Sequence, residues 1–172
     1  MSKLGFKVDY FEPDNKHFLI AKKIFKKNKS IINLNKLAIS DYTGYANFSR
    51  IEGNSTGSYI NDKKNGYGKI LKYKVKTLDS KKLRNKYDLI KIDAEGSEVE
   101  ILNGFTKKDF KSTDFLIEIS SEKNKEAIWN LKKKYNLKVY SQKNFWQKVN
   151  KIENLPDSYK EGTVFISEKN KF

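Results

Sequence analysis

Two kinds of apolar pattern alternate along this chain, and the alternation restricts the folds open to it more than any other feature. Asp88-Leu-Ile-Lys-Ile-Asp93 is the sharpest case, a short apolar run with little polar alternation, as in a central strand covered on both faces. It passes directly into Ala94-Glu95-Gly96 and a helical pattern carried by Val99, Ile101 and Leu102, with Gly104 placed as a C-cap glycine. The same order occurs earlier. Residues 6–11 read as a strand stopped by Glu12-Pro13, and Asp14 can cap a helix with Phe18, Ala21 and Phe25 on one face and Ile20 and Ile24 beside them. Residues 31–40 read as one strand ending near Ala38, and 41–44 as a turn relying on Gly44. Strands over 45–51 and 70–78 flank a long polar loop in which Gly66-Tyr67-Gly68 reads as a turn. Beyond Gly104 the pattern gives a strand over 115–119, a helix over 122–135 faced by Ala127, Ile128, Leu131 and Tyr135, and strands over 137–140 and 163–166. This order predicts an α/β fold on a mostly parallel sheet, with its ligand beyond the C-terminal strand ends. A length of 172 residues suits one such domain.

The absence of cysteine removes disulfides and thiolate metal sites, and a single histidine, His17, removes His-rich zinc sites and argues against a His-centred triad, so no metal site is expected. Carboxylates, hydroxyls and lysines remain for chemistry. No apolar run approaches the roughly 20 residues of a membrane span, and the N-terminus lacks a signal-peptide core, so a cytoplasmic location is expected. The net charge of +15 fits either a polyanionic partner or a solvated lysine surface. Of the 36 basic residues only Arg50 and Arg84 are arginine, and the scarcity of that planar fork argues against nucleic acid.

Several acidic residues fall at predicted C-terminal strand ends: Glu12, Asp93, Glu95 and Glu118. Glu12 could accept hydrogen bonds from ribose hydroxyls, or with Pro13 it could simply stop a strand. Asp93-Ala-Glu95-Gly96-Ser97-Glu98 crowds three carboxylates into one loop. Like charges at short range raise pKa values, which suits a general base, and Gly96 lets backbone approach a ligand. Acids at a helix N-terminus are equally favoured by the helix dipole alone. Glu98 is expected to point along its helix toward solvent.

Taken together and in this order, these segments resemble the FkbM family of S-adenosylmethionine-dependent methyltransferases. The matching residues are Val8-Asp-Tyr-Phe-Glu12-Pro13-Asp14, Leu37-Ala-Ile-Ser-Asp41 with Gly44, Asn54-Ser-Thr, Val75-Lys-Thr-Leu78-Asp79, Leu89-Ile-Lys-Ile-Asp93-Ala-Glu95-Gly96-Ser-Glu98, Leu102-Asn-Gly104 and Ile117-Glu118-Ile119. They cover about residues 5–120; the tail matches only the general methyltransferase pattern of a helix and closing strands. The resemblance implies one Rossmann-like domain over 1–172 with S-adenosylmethionine as cofactor. It puts Glu12 on the cofactor ribose, backbone near Ala38 by the adenine, and Asp93 against the cofactor, with Asp93 and Glu95 as the catalytic carboxylates near the transferred methyl. The implied reaction is O-methylation of a hydroxyl on a sugar or secondary metabolite, with a small-molecule or glycan acceptor.

The family also places a strand and a glycine-rich loop of Asp-x-Gly-Ala-Asn-x-Gly type ahead of the Glu-Pro strand, and this sequence shows neither. The expectation is therefore an N-terminally truncated sheet without its first strand and helix, and weak cofactor binding. Either the 8–11 strand pairs directly with the 89–92 strand, or a partner chain supplies the missing one. A non-catalytic remnant or accessory α/β module and a lysine-rich polyanion-binding module are the alternative readings.

Overall fold

The computed structural model describes residues 5–27, 32–51, 58–60 and 69–169. The chain divides into two compact units, 1–79 and 80–172. The first contains β1 (Val8–Phe11), α1 (Asn15–Lys27), β2 (Ile32–Asn35), β3 (Ala38–Ser40), β4 (Gly44–Ile51), β5 (Tyr59–Ile60) and β6 (Ile70–Asp79). β1 and β2 form a parallel pair, with Val8 opposite Ile32 and Phe11 opposite Asn35. The other four strands make a sheet in the order β3-β6-β4-β5, parallel only between β3 and β6. The single strand expected over 31–40 is thus two strands in different sheets. Leu37 N–H bonds back to Asn35 O at 3.1 Å, a local turn that ends one ladder before the next begins.

Period-2 patterning builds the core of the four-stranded sheet. Along β6, Lys72, Lys74 and Lys76 are exposed while Val75 and Thr77 are buried. Ala38, Ala46, Phe48, Ile60 and Val75 close on one another, with the Tyr73 ring 5.4 Å from that of Phe48. Asp14 begins α1, its Oδ1 accepting from the N–H groups of Lys16 (2.7 Å) and His17 (3.0 Å). Its Oδ2 accepts from the Tyr73 hydroxyl at 3.1 Å and lies 3.3 Å from Arg50 Nε. Burial alone would raise the Asp14 carboxyl; the His17 N–H and the Tyr73 hydroxyl, among others, hold it below the usual range. Ala21 is buried and Phe25 meets Tyr10 edge to face, whereas Ile20 and Ile24 stay exposed.

The second unit contains a 3₁₀ turn (Ser80–Leu83), β7 (Leu89–Ile92), α2 (Glu98–Leu102), α3 (Lys107–Ser112), β8 (Asp114–Glu118), α4 (Glu122–Tyr135), β9 (Val139–Ser141), β10 (Gln147–Lys148) and β11 (Thr163–Ile166). Its sheet runs β10-β9-β11-β8-β7. β7 and β8 are parallel, and β11 is antiparallel to both β8 and β9, so β7, β8 and β9 point the same way. Phe110, Phe115, Ile117, Ile119, Val139, Leu155, Val164 and Ile166 are fully buried. α4 spans the predicted 122–135; Ser121 Oγ accepts from Asn124 N–H at its start, and Asn136 ends it in the left-handed region.

The architecture is mixed α/β, but parallel pairing among the described residues is confined to β1–β2, β3–β6 and β7–β8. The mostly parallel expectation fails because strands entered without a crossover helix, β4 to β6 above all, pair antiparallel. β7, expected at the centre of a sheet, is the outer strand of its own. β1 pairs with β2, the strand after its own helix, as consecutive elements commonly do. Neither Gly44 nor Gly104 adopts positive φ. α2 ends on Asn103 in the right-handed region, and Gly104 is small for another reason, since a Cβ there would collide with the Ser80 side chain. Asn54, Ser55, Thr56 and the Gly66–Gly68 turn lie outside the described residues. Within the described residues no helix is long and apolar enough to cross a membrane.

Candidate functional site

β7 delivers the chain to Asp93, where a tight turn begins. Glu95 (φ 50°) and Gly96 (φ 104°) are both left-handed there. A non-glycine residue in that region costs about 1–2 kcal/mol, so something must hold the turn. Glu98 does. Its Oε1 accepts from Ala94 N–H (3.0 Å) and Gly96 N–H (3.1 Å), and its Oε2 from Gly96 N–H (3.0 Å). Asn124 Nδ2, at the start of α4, donates to Oε2 at 2.6 Å and to Ser120 Oγ at 3.1 Å. Only 1% of Glu98 is exposed, which corrects the expectation that it points to solvent. The turn's N–H groups face inward and need an acceptor, and Glu98 supplies it.

With Glu98 turned inward, the other two acids of the loop meet a third. Ile92 lies opposite Ile117 in the parallel ladder, so Asp93 and Glu118 leave the ends of β7 and β8 level with each other. Asp93, Glu95 and Glu118 each offer a carboxylate oxygen within 4.8 Å of the others. Burial, then the neighbouring Asp93 carboxylate, pushes the Glu118 carboxyl up to about 7. Lys91 Nζ donates to Asp93 Oδ2 at 2.8 Å, an exposed pair of small energetic weight that nonetheless engages one oxygen of the cluster. This arrangement can attract a cationic group and can take or release a proton near neutral pH. The expectation of no metal rested on missing Cys and His, yet three carboxylates are also a donor set that suits a hard divalent cation.

Glu12 and Ala38 lie in the first unit. Glu12 N–H donates to Asn35 O (3.0 Å), the same oxygen that accepts from Leu37, the residue before Ala38. The Glu12 carboxylate accepts from Asp14 N–H at 2.8 Å and from the Tyr10 hydroxyl at 3.3 Å. Burial raises its carboxyl, with the Asp14 N–H pulling the other way. Each oxygen keeps a lone pair, so this half-buried carboxylate fits two ribose hydroxyls as well as it fits a strand stop. The Ala38 side chain belongs to the core, leaving only backbone for a ligand. The structure therefore groups Glu12 with Ala38, and Asp93 with Glu95, and adds two residues to the latter group. Glu118 was legible as an acid ending a strand parallel to β7. Asn124 carried no local signal for this role, because Glu98 lies 26 residues away from it.

No curated protein and no solved structure matches this chain. Residues 2–156 match the family model of the methyltransferase FkbM domain. That span includes the β1 end bearing Glu12, the Asp93–Glu98 turn and the end of β8. The match covers most of the sequence, and the chain belongs to the FkbM methyltransferase family.

Proposed function

We propose that the chain is one Rossmann-like domain that transfers a methyl group from S-adenosylmethionine to a hydroxyl of a sugar or other small metabolite. Family membership supports methyl transfer, and the common direction of β7, β8 and β9 accords with a Rossmann-like plan. The observation that carries the reading is the convergence of Asp93, Glu95 and Glu118 at the C-terminal ends of two parallel strands.

When bound, the cofactor supplies an electrophilic methyl on a sulfonium. Glu12 is the residue proposed for the ribose hydroxyls, and backbone near Ala38 for the adenine. Asp93 and Glu95 favour positive charge beside them and orient the acceptor hydroxyl; orienting the reacting pair removes much of the entropic barrier. A carboxylate of the Asp93–Glu118 pair would take the proton of the acceptor hydroxyl, a role typically worth about 10²–10⁴-fold.

The test is methyl transfer by the full chain from methyl-labelled S-adenosylmethionine, at high cofactor concentration, to a panel of sugars and small alcohols. Label should appear in alkali-stable methyl ethers. Asp93→Asn keeps the size and removes the charge, and should lower transfer at least about tenfold with circular dichroism unchanged. Absence of labelled ether from every acceptor, or full activity in the Asp93 variant, would overturn the reading.

A further inference from the structure

The hairpin between β9 and β10 holds two bulky aromatic residues in a conformation that such residues rarely adopt. Phe145 (φ 51°) and Trp146 (φ 60°) are consecutive left-handed residues, and they are 88% and 37% exposed. Burial does not explain Phe145, which caps the 3₁₀ turn Gln142–Asn144, and neither position is a glycine. The fold imposes the geometry through Phe145 N–H to Gln142 O (3.0 Å), Trp146 N–H to Ser141 O (2.7 Å) and Val149 N–H to Val139 O (2.8 Å). Gln142 Oε1 accepts from Thr163 N–H at 3.2 Å, and Lys143 Nζ is 2.8 Å from Glu161 Oε2, so the hairpin is pinned at its base. Strained backbone that presents large apolar side chains to solvent is a mark of a working surface.

Strand register puts that surface on the working edge of the sheet. Ser141 and Ile117 both lie opposite Val164, one from each side of β11. Glu118 lies opposite Thr163, whose N–H is the one bonded to Gln142, so Gln142 and Glu118 occupy one row across the sheet. One strand separates them, a span of about 9–10 Å at normal spacing. The rings stand three and four residues beyond Gln142. Their immediate neighbours in sequence, Asn144 and Gln147, are neutral amides; Lys143 is paired with Glu161 and Asp157, and Lys148, next after Gln147, is exposed.

We propose that Phe145 and Trp146 form a stacking platform for a neutral sugar ring, placing an acceptor glycan along the sheet edge toward Glu118. This rests on the methyl-transfer reading and names the acceptor for it. Aromatic faces take the apolar face of a sugar, and the flanking Asn144 and Gln147 amides satisfy its hydroxyls.

The experiment titrates the full chain, without cofactor, with methyl glucoside, maltotriose and cellotriose. Fluorescence is read in a Trp129→Phe background, where Trp146 is the one tryptophan left. A saturable blue shift is expected with at least one sugar. Phe145→Ala should weaken that binding about three- to tenfold with unchanged circular dichroism. No saturable shift with any of the three, or binding indifferent to Phe145→Ala, overturns the proposal. So does a shift produced only by phosphatidylglycerol vesicles, or only by raising protein concentration, since these identify a membrane-inserting tip or a self-association surface. Sugar binding in a chain that forms no methyl ether would sink the methyl-transfer reading and leave the platform standing. Methylation of sugars with KM unchanged in the Phe145 variant would do the reverse.

Discussion

Glu118 and Glu98 flank one turn and do different jobs, and each can be tested by the same change to glutamine. Glu118 has a carboxyl raised by burial and by Asp93 to about 7, so the fold favours its protonated form. Its contribution to stability is therefore complete below the ordinary 4.5 and is lost as pH rises through about 7. Glu118→Gln should flatten that fall, leaving the variant more heat-resistant than the parent at pH 8, as read by thermal melts across pH. In methyl transfer, kcat/KM should rise with pH around a midpoint near 7, and the variant should lose that midpoint. Glu98→Gln should behave otherwise. It replaces an acceptor oxygen with an NH₂ facing the N–H groups of Ala94 and Gly96 or the Asn124 amide, and should cost about 1–3 kcal/mol in urea unfolding. An undiminished midpoint would show that the turn holds without its clasp.

Among the elements, those whose signals are local were legible and those set by distant partners were not. α4 and β11 match their predicted bounds because helical spacing, with a Ser cap for α4, and a short β-branched run specify them from within. α3 was missed although Thr106 and Asp109 carry the spacing of a capping box; Asp109 Oδ2 accepts from both the N–H and the Oγ of Thr106 at 2.7 Å. Six residues are too few for periodicity to show. The division of 31–40 into two strands depends on β1 and β6, which lie far along the chain, and no pattern within those residues encodes it. The candidate site divides similarly: its acids were visible as a cluster, while the decision that Glu98 turns inward and Glu118 joins belongs to register and to Asn124. The β9–β10 hairpin was also illegible, because nothing in Asn-Phe-Trp-Gln marks left-handed backbone. That strain predicts a trade: Phe145→Gly removes about 1 kcal/mol of backbone cost at a side chain that buries little, so the variant should melt a few degrees higher while losing any ligand the ring holds. A lower melting temperature would mean that the ring stabilises the hairpin.

At the scale of the whole molecule, lysine recurs along the sequence of both units; in β6 it lines the exposed side of a strand, and in α4 Lys132 and Lys133 lie over the Trp129 ring. Among the described residues the two units differ in what they bury. The first closes on a small cluster around Phe48, whereas the second holds three packed phenylalanines and a row of fully buried aliphatic side chains. A chain so rich in lysine offers trypsin a cleavage site every few residues, so the pattern of cuts is governed by how often each stretch opens and hardly at all by where the sites fall. Brief digestion under native conditions should therefore degrade the first unit to small peptides while a fragment beginning near residue 80 persists, identifiable by mass. Simultaneous loss of both halves would mean that they open as one.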